Sequence, residues 1–410
     1  MTHCRFLCNT TLAFIILFGT VAAGQDWSQW RGPDRDGAVP SFQLPEGEWP
    51  ESLIRRWTVE VGQGYAAPLL IGNRIYSFTR QDDDEVMQAL EASSGETIWR
   101  SAYPALFEMS SATRYHGPGP KSTPAFADDR LFTLGMSGIV TAFDAVTGKQ
   151  LWQNPATPKQ PTFHTAMSPI VDGDLVIIHV GGHDDGALTA FDVATGEVRW
   201  AWNGDGPAYG SPMIFDLAGT RQVVTFTQKH FVGVSLETGA LLWSRPFETH
   251  ATTTSQTPIL FGDMVIQAGR GNGFTAFRVA RQGDSFITED VWHTDEVSLH
   301  MTNGVVVDGV LFGMSHFNSG QYFGLDLTTG EVLWKGSPRQ GTNAAIVRSG
   351  NIIFSLEEDA ELLVVRSSRT GLEELTRYTV ADSATWTQPT LSGNRLYVKD
   401  VSLLTLWTLD

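Results

Sequence analysis

Beyond its eighth residue this sequence contains no cysteine; the two it has are Cys4 and Cys8. Both precede a short apolar run, Leu12 to Val21, that follows Arg5 and ends in the small residues Val21-Ala22-Ala23. That order is the pattern of an export signal, so residues 1–24 are expected to be a signal peptide cleaved near Ala23 or Gly24, leaving a periplasmic or secreted protein. A mature chain without cysteine excludes a disulfide, a thiolate metal site and covalently attached haem. It also lacks the cysteine that a lipid anchor would need directly after the apolar run. That run is too short to cross a bilayer, and no other stretch approaches the necessary length. Basic residues are scarce as well. Lys and Arg total 28 against 45 Asp and Glu, a net charge of -17, and no basic stripe is visible. Nucleic acid is therefore excluded as a partner, because phosphate binding needs such a stripe.

What is present is repetition. Phe143-Asp144-Ala145-Val146-Thr147-Gly148 is followed by Trp152, Phe191-Asp192-Val193-Ala194-Thr195-Gly196 by Trp200, and Leu325-Asp326-Leu327-Thr328-Thr329-Gly330 by Trp334. Looser copies run from Glu91 through Gly95 to Trp99 and from Ser235 through Gly239 to Trp243. Two copies are worn: Thr370-Gly371 leads to Leu375 in place of Trp, and Phe277 to Trp292 lacks the Thr-Gly step. The residues before each Asp alternate and are rich in branched and aromatic side chains, as strands are. The Asp carboxylate suits the amides of a following turn, Gly suits positive φ, and Trp offers a broad surface to a neighbouring sheet. These residues read as scaffold.

A second landmark precedes each motif. Pro68, Pro124, Pro169, Pro212, Pro258 and Pro389 open short apolar strands, and polar hairpins such as Gly72-Asn73 and Asp172-Gly173-Asp174 lead into a second strand. Each unit therefore reads as four short antiparallel strands repeating about every 40–50 residues, the period of propeller blades. The expected fold is all-β, an eight-bladed β-propeller of four-stranded antiparallel blades. Seven units span Ala67 to Tyr378, and an eighth starts near Trp386 but lacks its outer strand. Arg55 to Glu60, with Trp57, has the character of that strand, so an N-terminal strand is expected to close the ring. A seven-bladed ring is the alternative, if the worn fifth unit is an insertion. The expected organisation is a signal peptide (1–24), an N-terminal extension (25–51) and one propeller domain (52–410).

The Asp-x-x-Thr-Gly-x-x-x-Trp motif with its Pro-led strand resembles the tryptophan-docking repeat of the PQQ-like propeller superfamily, which includes quinoprotein alcohol dehydrogenases and the BamB component of the outer-membrane barrel assembly machinery. Trp27-Ser28-Gln29-Trp30-Arg31-Gly32-Pro33-Asp34 and His116-Gly117-Pro118-Gly119-Pro120-Lys121-Ser122-Thr123-Pro124 look like a bacterial subgroup of exported PQQ-like repeat proteins. The resemblance to the dehydrogenases implies PQQ with calcium and an adjacent cysteine pair over the cofactor; the pair is missing. The resemblance to BamB implies a lipid anchor, and its cysteine is missing too. Fold does not fix function.

Loops between blades and those inside each central hairpin gather on one face, opposite the Thr-Gly turns. They vary in length and chemistry, as binding loops do. Tyr115, His116, Lys121, His164, Tyr209, Arg270, His300, Asn303, His316 and Trp386 are the residues expected to form a polar, aromatic-rimmed funnel there. Lys121 and Arg270 suit an anion, and Trp386 a flat ring. His179 to Asp185 has the donors of a transition-metal site and Asp82 to Glu85 those of a calcium site, yet each reads better as a solvated loop, so neither is assigned a metal. The expected function is a non-enzymatic binding or scaffold module of the cell envelope, a monomer taking an envelope protein, peptide or small molecule on the loop-rich face. A PQQ-dependent dehydrogenase and a carbohydrate-binding propeller are the alternatives.

Overall fold

A computed structural model describes residues 26–410; the expected signal peptide and its cleavage point lie outside the described residues. Eight four-stranded antiparallel sheets succeed one another along the chain and close into an eight-bladed propeller. Blade 1 shows the plan: inner strand Leu69–Ile71, then Arg74–Gln81, Asp84–Glu91 and outer strand Thr97–Pro104. Blades 2 to 7 occupy 125–154, 170–202, 213–246, 259–294, 305–335 and 344–379. Blade 8 takes three strands from 390–408 and its outer strand, Ile54–Glu60, from the other end of the chain. The worn fifth unit is thus a full blade, built on the long hairpin Phe274–Gln282 and Ser285–Thr294.

The repeat motif explains how blades join. Asp144 Oδ1 accepts from the Val146 and Thr147 amides at 3.1 and 2.7 Å and from the Thr147 hydroxyl at 2.7 Å, which folds the turn. Gly148 then takes φ 75, a conformation that costs a side-chain-bearing residue. Where the outer strand bearing Trp152 pairs, the register slips at Ala142/Phe143, a bulge that recurs at the same place in the other repeats. The indole passes under the turn of the following blade and donates to a fixed carbonyl, that of the residue after the motif Asp. Trp99 reaches the Ala145 carbonyl at 3.1 Å, Trp152 that of Val193 at 3.0 Å, Trp200 that of Leu236 at 2.9 Å and Trp292 that of Leu327 at 3.0 Å. Trp57, on the N-terminal strand, reaches the Ala92 carbonyl at 3.2 Å and so docks blade 8 onto blade 1. The motif glycine is needed twice, since a Cβ at Gly148 would lie 2.4 Å from the Trp99 ring.

Apolar layers between successive blades form the core. One unites Phe78, Met87 and Tyr103 of blade 1 with Leu131 and Phe143 of blade 2; another unites Phe132 and Trp152 of blade 2 with Val176 and Phe191 of blade 3. Around the axis, side chains two residues before an inner strand link neighbouring blades at four junctions. Thr123 Oγ1 accepts from the Ala67 amide, Ser168 Oγ from the Thr123 amide, Ser211 Oγ from the Ser168 amide and Asn303 Oδ1 from the Thr257 amide, at 2.7–3.0 Å. Closure has its own staple: the buried Lys399 ammonium donates to the carbonyls of Gly62, Gly64, Asp400 and Val401.

Residues 26–42 enter the axis from the Thr-Gly side and return to it. Trp27 exchanges amide and carbonyl with Leu70 of blade 1, Ser28 accepts from Phe126 of blade 2, and Val39 donates to Arg348 of blade 7. At the tip, Arg31 donates to the Asn303 and Gly304 carbonyls of blade 6 at 3.3 and 2.6 Å. Arg35 donates to those of Ser168 and Pro169 of blade 3 at 3.3 and 2.8 Å, and Trp30 to Thr257 Oγ1 at 2.8 Å. Both guanidinium groups are buried, which lowers their pKa to about 10 for Arg31 and about 9 for Arg35. The chain's own residues thus fill the axis below the loop-rich face.

Gly148→Ala is expected to destabilise the fold by about 2–4 kcal/mol, through positive φ and collision with Trp99. Gly72→Ala, at φ 58 with open space where a Cβ would stand, should cost only about 1 kcal/mol. Urea unfolding of the two variants separates the docking contribution from the backbone one; equal losses would remove the case for docking.

Candidate functional site

On the loop-rich face the sequence-derived residues fall into two groups. The long crossing between blades 1 and 2 includes the short helix Ser111–His116 and carries the first. Lys121 Nζ donates to the Phe163 carbonyl at 2.9 Å, and burial lowers its pKa to about 8. His116 sets its ring edge-on to Trp386, with centroids 4.6 Å apart, and lies 6.4 Å from Tyr65. His164, held at φ 59, accepts the Ser110 amide on Nε2 at 3.1 Å and packs against Phe107 at 4.9 Å. Tyr209 accepts the Phe163 amide on its hydroxyl at 3.0 Å and stands 3.3 Å from His183 Nε2; burial raises its pKa. The backbone of Phe163 and His164 therefore ties Lys121, His164 and Tyr209 into one unit.

The second group faces blades 5 and 6. Ser298 Oγ accepts from the Gly271 amide at 3.0 Å and donates to the Gly269 carbonyl at 2.7 Å, fixing the hairpin loop that presents Arg270. The Ser298 carbonyl accepts from His316 Nδ1 at 3.1 Å, which assigns the proton to Nδ1 and leaves Nε2 as the acceptor. His300 lies 6.0 Å from His316, ring to ring. Burial, then the Arg270 charge, then His316 push His300 down to about 4. Burial, then the Lys121 charge, do the same to His164, again to about 4. Each group thus combines one basic residue with two imidazoles held neutral. Neither Lys121 nor Arg270 makes an ion pair among the described residues, unlike Lys159, Arg245 and Lys335, which pair with Asp185, Asp290 and Glu296.

Three expected members stand differently. Tyr115 is 82% exposed with Arg114 over its ring at 5.1 Å, on the outside of the long crossing. Asn303 belongs to the inter-blade belt, where Thr257 and Ser255 occupy its side chain. Trp386 is half-buried beneath His116. The sequence reading missed Phe163 and Tyr65 at the rim and Trp30, Arg31 and Arg35 at the floor. The Trp-Ser-Gln-Trp-Arg-Gly-Pro run was visible, but nothing local in it says that it folds into the axis.

Neither metal loop gathers ligands. His179 is buried with Nε2 3.0 Å from the Asp205 carbonyl, while Asp184 and Asp185 pair with Lys229 and Lys159. Among the described residues no three His, Cys, Asp or Glu stand together as a metal site. Asp82 and Asp83 are exposed, as a solvated hairpin tip requires, but Glu85 is not. It lies fully buried between blades 1 and 2, where the Tyr103 hydroxyl at 2.8 Å and the Met136 amide at 2.6 Å satisfy it.

The molecule is an eight-bladed propeller of tryptophan-docked, PQQ-like repeats whose loop-rich face carries Lys121, Arg270 and several imidazoles. A family model described as outer membrane protein assembly factor BamB matches residues 82–336, and the chain belongs to that family. It is 25% identical over 258 residues to outer membrane protein assembly factor BamB of Yersinia pestis, covering 60% of this chain and 63% of that one. It is 27% identical over 158 residues to the dehydrogenase subunit of the quinone alcohol dehydrogenase of Acetobacter aceti, covering 36% and 21%. The matches thus span less than two thirds of the length of either relative. The crystal structure of BamB from Moraxella catarrhalis superposes with a TM-score of 0.62 at 17% identity, over 87% of this chain and 97% of that one, and shares the fold.

Buried neutral histidines make stability pH-dependent. Burial, partly offset by the Asp205 carbonyl, lowers His179 to about 4, as burial does His164 and His300. The unfolded chain takes up these protons near 6.5, the folded one only near 4, so stability should fall as pH drops through that window. His179→Gln should flatten the fall, measured as the urea midpoint against pH; an unchanged slope would show that His179 titrates alike in the folded and unfolded chain.

Proposed function

We propose that this propeller is a non-catalytic binding module of the cell envelope, acting after export, whose loop-rich face holds an acidic, extended segment of another envelope protein. The observation that carries this reading is the placing of Lys121 beside His164, and of Arg270 beside His300 and His316, on the loop-rich face. Two cations set apart on one face, each beside imidazoles and without a carboxylate of the chain upon it, suit carboxylates spaced along an extended segment. Membership of the BamB family supports an assembly role over an enzymatic one.

PQQ with calcium, which the likeness to quinone alcohol dehydrogenases brings into question, fits these residues poorly. No cluster of three acidic or imidazole ligands for calcium is present among the described residues, and Trp30, Arg31 and Arg35 occupy the floor.

Fluorescence anisotropy with a labelled, unstructured acidic peptide tests the proposal against the same peptide with Gln for Glu. The acidic form should bind more tightly, less so at high salt, and Lys121→Met or Arg270→Met should each weaken it by about tenfold. Equal binding of both peptides would sink the proposal. So would dye reduction dependent on an alcohol, PQQ and calcium that disappears in either variant.

A further inference from the structure

Two of the repeat indoles do not dock forward. Trp243 and Trp334 precede blades 5 and 7, the blades grown from the worn motifs; the fifth lacks the Thr-Gly turn and in the seventh Gly371 takes φ 154 in place of the 72–78 of the docking glycines. Both rings turn back over their own sheets. The residue paired with each makes this feasible. It is Gly233 opposite Trp243 and Gly324 opposite Trp334, whereas alanine (Ala89, Ala142, Ala190, Ala276) faces the forward-docking Trp99, Trp152, Trp200 and Trp292. A Cβ at Gly324 would lie 2.5 Å from Trp334 Nε1.

The consequences differ. Trp243 donates to Gln222 Oε1 at 2.6 Å, and Phe277 of blade 5 packs on its ring at 5.5 Å. The Trp334 N–H is buried without an acceptor, and among the described residues its ring neighbour is Phe312 of its own blade. Beside it a cleft of about 330 Å³ opens between blades 6 and 7. Trp334, Val365 and Leu372 give it an aromatic and aliphatic wall; Ser337, Gln340 and Thr370 add hydrogen-bonding groups. Its charged lining is already balanced, Lys335 by Glu296 at 2.8 Å and Glu374 by Arg377 at 3.4 Å.

We propose that this cleft binds a neutral saccharide, one pyranose ring lying against Trp334 with its hydroxyls toward Ser337, Gln340 and Thr370. A strongly charged ligand finds no uncompensated partner there, and a wholly apolar one would strand the polar groups away from water. A pyranose presents what the walls ask for: a flat C–H face and a rim of neutral hydroxyls. The volume is at the small end of ligand pockets, about 300–1,000 Å³, and suits a single ring. The cleft lies between the outer strands of blades 6 and 7 and shares no residue with the Lys121 and Arg270 groups, so this inference is independent of the peptide-binding reading.

Saturation-transfer NMR and calorimetry of the purified protein with glucose, N-acetylglucosamine, maltose and cellobiose test it. At least one sugar should bind in the millimolar range with saturation concentrated on one ring face. Trp334→Leu should weaken that binding at least about tenfold, and Leu372→Trp, which fills the cleft from its other wall, should abolish it. Both variants should still bind the acidic peptide. The proposal is overturned if no sugar of the panel binds, or if binding survives Leu372→Trp in a protein that melts as the parent does; should Trp334→Leu fail to fold, Leu372→Trp alone decides.

Discussion

An indole from one blade seated beneath the glycine of the next is the contact on which this molecule depends. Single four-stranded sheets have two apolar faces and cannot bury both alone. The docked tryptophan joins each sheet to its successor by a large buried surface and one directional hydrogen bond, and it does so at a repeated position, so the angle between blades is set locally and the ring follows. The positive φ of Gly148 or Gly196 and the space left by a missing Cβ serve the same contact. Where the turn is lost, the tryptophan is redirected rather than discarded, and a glycine replaces alanine across the sheet to receive it.

The axis is held by a different kind of bond. Arg31 and Arg35 bring two guanidinium groups into the interior, where an unsatisfied charge would be very costly. Their planar forks find backbone carbonyls at the starts of the inner strands of blades 6 and 3. Those strand starts are where carbonyls of a propeller converge without partners of their own, so the arginines supply donors that the sheets cannot. The segment gives the loop-rich face a solid floor and confines any partner to the surface above it.

On that face, burial and nearby cations act in the same direction. Both disfavour protonation of His164 and His300, so these imidazoles stay neutral beside Lys121 and Arg270. An anionic partner would reverse the balance by favouring protonated imidazole, which couples binding at this face to proton uptake.

By itself the sequence determined the propeller architecture, with eight blades expected over seven, the scaffold roles of Asp144, Gly148 and Trp152, and the use of Arg55 to Glu60 as the closing strand, because each depends on spacing and local backbone chemistry that repeat along the chain. It also marked Lys121 and Arg270 as cations on variable loops. Tertiary structure alone decided that Asn303 serves the inter-blade belt, that Glu85 is buried against Tyr103, that Trp27 to Arg35 fill the axis, and that the space beside Trp334 is open. Each of these arises from residues far apart in sequence meeting once, at a place fixed by ring closure, and a contact made once leaves no period to read.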